Sequence, residues 1–318
     1  MNILLIGGAG FIGSVLQRVL RSSGAQVTVL DIQPAPDGVT SEYVQADIRD
    51  YSAIAPHFAS RDLVINLAAE HRDDIRPISL YDEVNVDGAR NICRAAAQAG
   101  VKWQIFTSSV AVYGESSVPL HEDSEIAYFN DYGRTKFLAE GIYREWSNGG
   151  SGRRLHIVRP TVVFGPGNRG NVYNLLRQIK FGPFLMVGDG SNVKAIAHVD
   201  NVAGFLGYIA SDMVPPGVYN YADGPDLSIN EIVKLTQAAL GRDTTGPGLR
   251  LPLPVGLVLG KLADLAAWVF KRPLPISAIR IRKFCSNSEV DATRMLSTGY
   301  TPSREVREGL AEMVRVHV

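Results

Sequence analysis

A chain of 318 residues is long enough to bury a large core and to divide into about two domains. Hydrophobic residues at 46% and charged residues at 20% are ordinary globular usage and exclude a disordered chain. Lys plus Arg and Asp plus Glu balance at 32 each, so no overall field draws the chain to nucleic acid. Only Cys93 and Cys285 occur, far apart, which gives neither a disulfide framework nor a zinc ligand set; no metal is expected. The chain starts on a strand-like run and has no uncharged apolar stretch of about 18 residues. A cytoplasmic protein without signal peptide or membrane span is therefore expected.

Asn2–Ile6 is a short apolar run, and Gly7-Gly8-Ala9-Gly10-Phe11-Ile12-Gly13 follows at once. The pattern predicts a buried strand over 2–6 turning into a helix over 11–23. Gly7 allows the tight turn, Gly10 lets a pyrophosphate approach the backbone, and Gly13 lets helix and strand pack closely. The helix N-terminus then faces the phosphates with its unpaired N–H groups. A second strand over 26–30 ends in Asp31, whose carboxylate suits the ribose hydroxyls of NAD and repels the 2′-phosphate of NADP. The plainer reading of the same residues is an ordinary strand–turn–helix.

Further strands are expected at 42–45, 63–67, 102–107 and 154–159, with helices at 51–58, 80–99 and 131–147. Strands alternating with helices predict an α/β fold, a Rossmann-type doubly wound parallel sheet. Pro and Gly cluster in the second half, at 165–170, 182–190, 215–225 and 246–256. That suits a smaller, mixed C-terminal substrate domain. The expected division is 1–165 plus about 196–226 for NAD, and about 166–195 plus 227–318 for substrate.

The chemistry sits after the fifth strand. Ser108-Ser109 lies where that strand empties into a loop, and Tyr132 and Lys136 fall four apart at the start of a helix, on one face. A phenol ordinarily loses its proton near pH 10; an ammonium held close favours the phenolate and makes it a usable base. Ser109 can hydrogen-bond the substrate oxygen whose proton moves. Each piece alone is common, but the order of glycine loop, serine, then Tyr-x-x-x-Lys is not.

With these residues the chain resembles the extended short-chain dehydrogenases, the NAD-dependent sugar epimerase/dehydratase group. The resemblance runs through Asp47-Ile48, Asn66-Leu67-Ala68-Ala69, Val84–Gly88, Val112-Tyr113-Gly114, Arg159-Pro160, Phe164-Gly165-Pro166 and His198–Asn201. It implies NAD as cofactor, with Asp31 at the adenosine ribose, Asp47 and Ile48 at the adenine, and Leu67, Ala68 and Ala69 at the pyrophosphate side. Phe11, Ile12, Ile32, His71, Asn85, Thr107 and Pro160 complete the implied cofactor contacts. It makes Tyr132 the proton acceptor and Ser109 its partner. Lys136 would hold the nicotinamide ribose and lower the tyrosine pKa.

The family's 4,6-dehydratases carry an acidic pair just after the catalytic Ser or Thr. Val110 and Ala111 stand there in this chain and cannot carry a proton, which disfavours dehydration and decarboxylation. Hydride transfer at one carbon remains, reversible within a turnover in an epimerase or net in a 4-ketoreductase. A non-catalytic dinucleotide sensor is the reading from another class.

Three segments look like bacterial polysaccharide-biosynthesis epimerases: Leu67–Asp74, Asn168–Leu176 and Arg280–Cys285. That implies C4 epimerisation of an N-acetylhexosamine diphosphate conjugate, on undecaprenyl diphosphate or UDP. Cys285 would stand where UDP-hexose 4-epimerases carry a bulky tyrosine, leaving room for an acetamido group; taken alone it is a packing cysteine. Val162 replaces an asparagine that touches the substrate phosphate, so Asn171, Arg169, Lys194 and Arg280 become the candidates for that contact. Residues 249–283 hold seven cations against Asp264, a local charge of +6, and the apolar run 255–270 is too short and interrupted to span a bilayer. It is read either as a core or dimer-forming helix or as one lying on a membrane face. The family often pairs through a four-helix interface, so a homodimer through 80–99 and 131–147 is expected.

Overall fold

The structure is a computed structural model and describes residues 1–35, 42–72, 75–116, 118–181, 184–242, 249–270 and 277–317. Asp73, Asp74, Lys271 and Arg272 lie outside the described residues, as does the side chain of Lys283.

Seven strands make one sheet: β1 (Asn2–Ile6), β2 (Gln26–Asp31), β3 (Tyr43–Gln45), β4 (Leu63–Asn66), β5 (Trp103–Thr107), β6 (Arg154–Pro160) and β7 (Gly217–Tyr221). They lie in the order β7-β6-β5-β4-β1-β2-β3, and each neighbour pairs parallel. The direction of winding reverses between β1 and β4, and a ligand crevice opens outside the carboxyl ends of strands at such a point. The main helices are α1 (Phe11–Ser22), α2 (Gly88–Gln98), α3 (Asp131–Asn148), α4 (Asn171–Phe181), α5 (Val199–Ala210), α6 (Ile229–Ala239), α7 (Leu253–Phe270), α8 (Ala278–Cys285) and α9 (Val306–His317).

Alternate strand residues feed two cores. Ile3, Leu5, Val29 and Ile105 pack with Leu16, Leu20, Val202 and Phe205 of α1 and α5. Leu4, Ile6, Val64 and Phe106 pack with Ile92, Ala96, Ala139 and Tyr143 of α2 and α3. Burial on both faces is why these strands read as unbroken apolar runs rather than alternating ones. A third core joins α4, α6 and α9 through Leu176, Ile232, Val233, Leu310 and Met313. Among the described residues no helix is long and apolar enough to cross a membrane.

The expected elements differ from the structure in three places. Residues 51–58 are one α-helical turn to Ile54 followed by a 3₁₀ turn over Ala55–Phe58, where Pro56 cannot donate a helical hydrogen bond. The single helix expected over 80–99 is interrupted by a π-helical segment over Asp82–Asp87. Last, β7 lies inside the Pro/Gly cluster at 215–225, which reads locally as loop; its Tyr219, Asn220 and Tyr221 are buried beside β6.

Candidate active site

The glycine loop is closed tightly enough to leave no room for side chains. Gly7 has φ +76°, and a Cβ there would lie 2.6 Å from the backbone nitrogen of Ala68. A Cβ on Gly13 would lie 2.4 Å from the carbonyl oxygen of Gly7. The loop is held from two sides. Ala9 N–H donates to the Asp31 carboxylate at 2.9 Å, and the Gln17 carboxamide donates to the Gly8 carbonyl at 2.6 Å. Asp31 also accepts from Gln33 N–H at 3.0 Å, which fixes the turn leaving β2. Phe11 and Ile12 open α1 and pack against the core beneath it, whereas Ile32 is exposed beside Asp31.

Across the crevice, Asn66 caps β4: its carboxamide accepts from Ala68 N–H at 3.0 Å and donates to the Tyr143 hydroxyl at 2.9 Å. Leu67, Ala68 and Ala69 are partly exposed there and close on Gly7, while His71 is exposed. Asn85 lies in the π-helical segment. It accepts from Glu70 N–H at 2.9 Å and donates to the Glu70 carbonyl and the Thr135 hydroxyl, each at 2.9 Å. The widened turn thus lets one side chain tie the β4 loop to α3, the kind of use that π-bulges often serve. Asp47 is engaged by Arg49 at 2.7 and 2.9 Å, which holds its carboxyl below the usual range, and Ile48 is buried against Gly88.

Tyr132 and Lys136 sit on the first turns of α3, which Asn130 caps by accepting from Gly133 N–H at 2.8 Å. Ser109 stands beside the Tyr132 hydroxyl and favours its ionised form. Ser109 is itself oriented by Ala111 N–H, which donates to its hydroxyl at 3.2 Å. Burial sets the electrostatics of both groups. Burial pushes the phenol up to about 12, with Ser109 acting against it. The buried ammonium donates to the Thr107 carbonyl at 2.7 Å, and burial pushes it down to about 7 against the pull of Glu140. A desolvated ammonium takes the nearest strong acceptor, and here that is a strand-end carbonyl.

The cleft fits NAD on two counts. The glycine loop packs so closely on the 67–68 backbone and on itself that Gly7 and Gly13 admit no Cβ, which keeps its backbone open to a pyrophosphate. Thr107 Oγ1 and Ser108 Oγ are buried at the end of β5 with no hydrogen-bond partner among the described residues, and such groups are rarely left unpaired without a ligand to meet them. Pro160 ends β6 alongside, buried.

Of the substrate candidates, Lys194 and Cys285 come together. Lys194 donates to the carbonyl of Ser286, and Cys285 donates from its thiol to the Val187 carbonyl at 3.2 Å. Burial pushes Lys194 down to about 8 and raises the thiol, while each feels the other's charge. Arg282 reaches from α8 to Glu115 at 2.9 Å, joining this cluster to the chain downstream of Ser109. Arg280 is exposed on α8, and Arg169 and Asn171 are exposed where the chain enters α4.

Sequence reasoning missed the ion pair behind the site. Glu140 of α3 and Arg159 of β6 are both buried, and Arg159 also donates to the Tyr113 hydroxyl at 2.6 Å. Tyr113 in turn donates to Asn220 of β7 at 2.7 Å. Helical spacing was the available signal, because Glu140 lies four residues past Lys136 and eight past Tyr132.

The NAD dependent epimerase/dehydratase family profile matches residues 3–222. The N-acetyl-alpha-D-glucosaminyl-diphospho-ditrans,octacis-undecaprenol 4-epimerase of Escherichia coli O157:H7 is 41% identical over 312 residues, covering 97% of this chain and 93% of its own. The UDP-glucose 4-epimerase of Vibrio cholerae is 29% identical over 266 residues, covering 80% and 79%. The solved structure of MoeE5 in complex with UDP-glucuronic acid and NAD superposes with a TM-score of 0.75 at 25% identity, over 99% of this chain and 98% of that one. With a profile match over most of its length and a relative this similar end to end, the chain belongs to the NAD dependent epimerase/dehydratase family.

Proposed function

We propose that the protein inverts C4 of an N-acetylhexosamine carried on a diphosphate, interconverting the GlcNAc and GalNAc forms for surface polysaccharide synthesis. The carrier is undecaprenyl diphosphate or UDP. The observation that carries this reading is the placing of Ser109 beside Tyr132, followed by Val110 and Ala111, where no acid is available for elimination. The similarity to the E. coli undecaprenol-linked 4-epimerase supports the sugar and the carrier.

Bound NAD supplies the two-way hydride exchange at C4. Tyr132 takes the proton of the C4 hydroxyl and later returns it. Ser109 keeps the phenol and the substrate oxygen in line. Lys136, steadied by Thr107, holds the nicotinamide ribose. The 4-keto sugar turns about its glycosyl–phosphate bond and presents its other face, so no reducing equivalent leaves.

In this reading Gly7, Gly10, Gly13, Asp31 and Asn85 belong to the cofactor side. Lys194, Cys285, Arg169, Asn171 and Arg280 belong to the substrate side, built on 166–195 and 227–318. The protein works as a homodimer through α2 and α3, where Leu138 is exposed, at the cytoplasmic face of the membrane that holds the lipid carrier.

The test offers UDP-GlcNAc and a GlcNAc-pyrophosphate lipid to the NAD-loaded protein. Inversion at C4 without net change in NADH is expected on at least one of them. Stoichiometric NADH consumption with a 4-keto sugar would replace this reading with a reductase, and no turnover of either compound would overturn it.

A further inference from the structure

α7 is apolar nearly all round, and its large and small side chains are arranged the wrong way round for a helix that finishes a core. Its small residues face the protein. A Cβ on Gly256 would lie 2.6 Å from Val187 Cγ1, and one on Gly260 would lie 2.7 Å from the Cα of Ala278. These two glycines let α7 press onto α8 and the strand over Leu185–Val187. Its large residues face away. Val255, Val258, Leu259, Leu262 and Leu265 fall on one side of the helix and are between 45% and 57% exposed. A soluble surface helix normally shows the reverse arrangement, and a contiguous apolar stripe of this kind marks a contact surface.

The charge of the segment that carries the stripe points to its contact: residues 249–283 hold seven cations against Asp264. Lys261 is exposed at its margin, Arg250 is exposed on the strand that precedes α7, and Arg280 is exposed on α8. Arg282 on α8 is paired with Glu115. The one acid of α7, Asp264, turns its carboxylate to the backbone N–H of Ala278 at 3.1 Å. An anionic phospholipid surface matches both parts at once: apolar side chains enter the acyl boundary while Lys261 extends its ammonium to the headgroups.

We propose that the outward face of α7 docks on the surface of an anionic phospholipid bilayer. α8 packs against α7 and carries Cys285 toward Lys194, so the docked surface and the substrate side share one pair of helices. The docking gives the lipid-carrier arm of the function proposed above its means of reaching substrate, and it rests on that reading for its purpose only.

The test is flotation of the full chain with phosphatidylglycerol/phosphatidylethanolamine vesicles and with phosphatidylcholine vesicles. The wild type is expected to float with the anionic vesicles and to be released by high salt. The triple variant Val258→Ser, Leu262→Ser, Leu265→Ser is expected to lose at least tenfold in binding while keeping bound NAD, since it changes only exposed side chains. Lys261→Glu is expected to weaken binding to anionic vesicles alone. A wild type that stays unbound, or a triple variant that floats as well as the wild type, overturns the proposal. So does a wild-type dimer that the triple variant splits without change in flotation, which would assign the stripe to a second copy. Turnover of UDP-GlcNAc, measured on the same samples, reports on the function separately from the docking.

Discussion

Glu140 and Arg159 meet through two hydrogen bonds of 2.8 and 2.6 Å, with both side chains shut off from solvent. The pair pins α3 to β6 one helical turn below Lys136 and two below Tyr132, so the catalytic face of α3 is set by a contact buried in the fold. Removing Glu140 leaves the buried Arg159 guanidinium without its carboxylate, and removing Arg159 leaves Glu140 only the longer contact to Arg144 at 3.4 Å. Glu140→Leu or Arg159→Met is expected to cost about 3–5 kcal/mol, whereas the double variant should cost less than the two single changes together. Urea unfolding of the three variants gives the coupling, and strict additivity would remove the pair from this role.

Tyr132→Phe removes the proton acceptor and keeps the ring. Turnover is expected to fall by about 10²–10⁴-fold with bound NAD unchanged. Ser109→Ala acts through the same hydroxyl and should lower turnover in the same direction. Initial rates together with the NAD content of the purified variants check both, and a Tyr132→Phe protein with near-normal turnover would refute the assignment.

Lys136 makes stability depend on pH. Burial lowers its folded pKa to about 7, below the ordinary lysine value, so the unfolded chain binds the extra proton between those two values. The cost of the buried charge is therefore complete below pH 7 and fades as pH rises toward about 10. Lys136→Met, without NAD, should gain most over the wild type at pH 6. The gain should shrink by about 1.4 kcal/mol per pH unit above pH 7. Thermal melts from pH 6 to 10 measure it, and a gap that widens with pH would contradict the buried ammonium.

Gly13→Ala would drive a methyl to 2.4 Å from a backbone oxygen that cannot move without opening the loop. Loss of bound NAD and a destabilisation of several kcal/mol are expected. Gly141, in the exposed part of α3, has nothing within 4 Å of an added Cβ, so Gly141→Ala should stabilise by about 1 kcal/mol and keep NAD. Cofactor content after gel filtration and a melting curve separate the two.

The sequence by itself determined the cofactor half of the molecule. Strand 2–6 running into the loop at Gly7–Gly13, the acid ending β2, and Tyr132 and Lys136 on one helix face are all encoded within a few residues of each other. Local spacing, period and turn chemistry suffice to read such features. Only the tertiary structure decided the rest, because those contacts join residues far apart in the chain. Arg159 finds Glu140 nineteen residues away, and Asn220 of β7 accepts from Tyr113 across 107 residues. The same holds for pKa values: the four-residue spacing put Lys136 beside Tyr132, but the packing of β5 offered the ammonium a buried carbonyl and left the phenol desolvated. In α7, too, the apolar run was legible in sequence. Which side of it faces water was settled by Gly256 and Gly260 packing against α8, a choice that a uniformly apolar helix leaves open until its neighbours are in place.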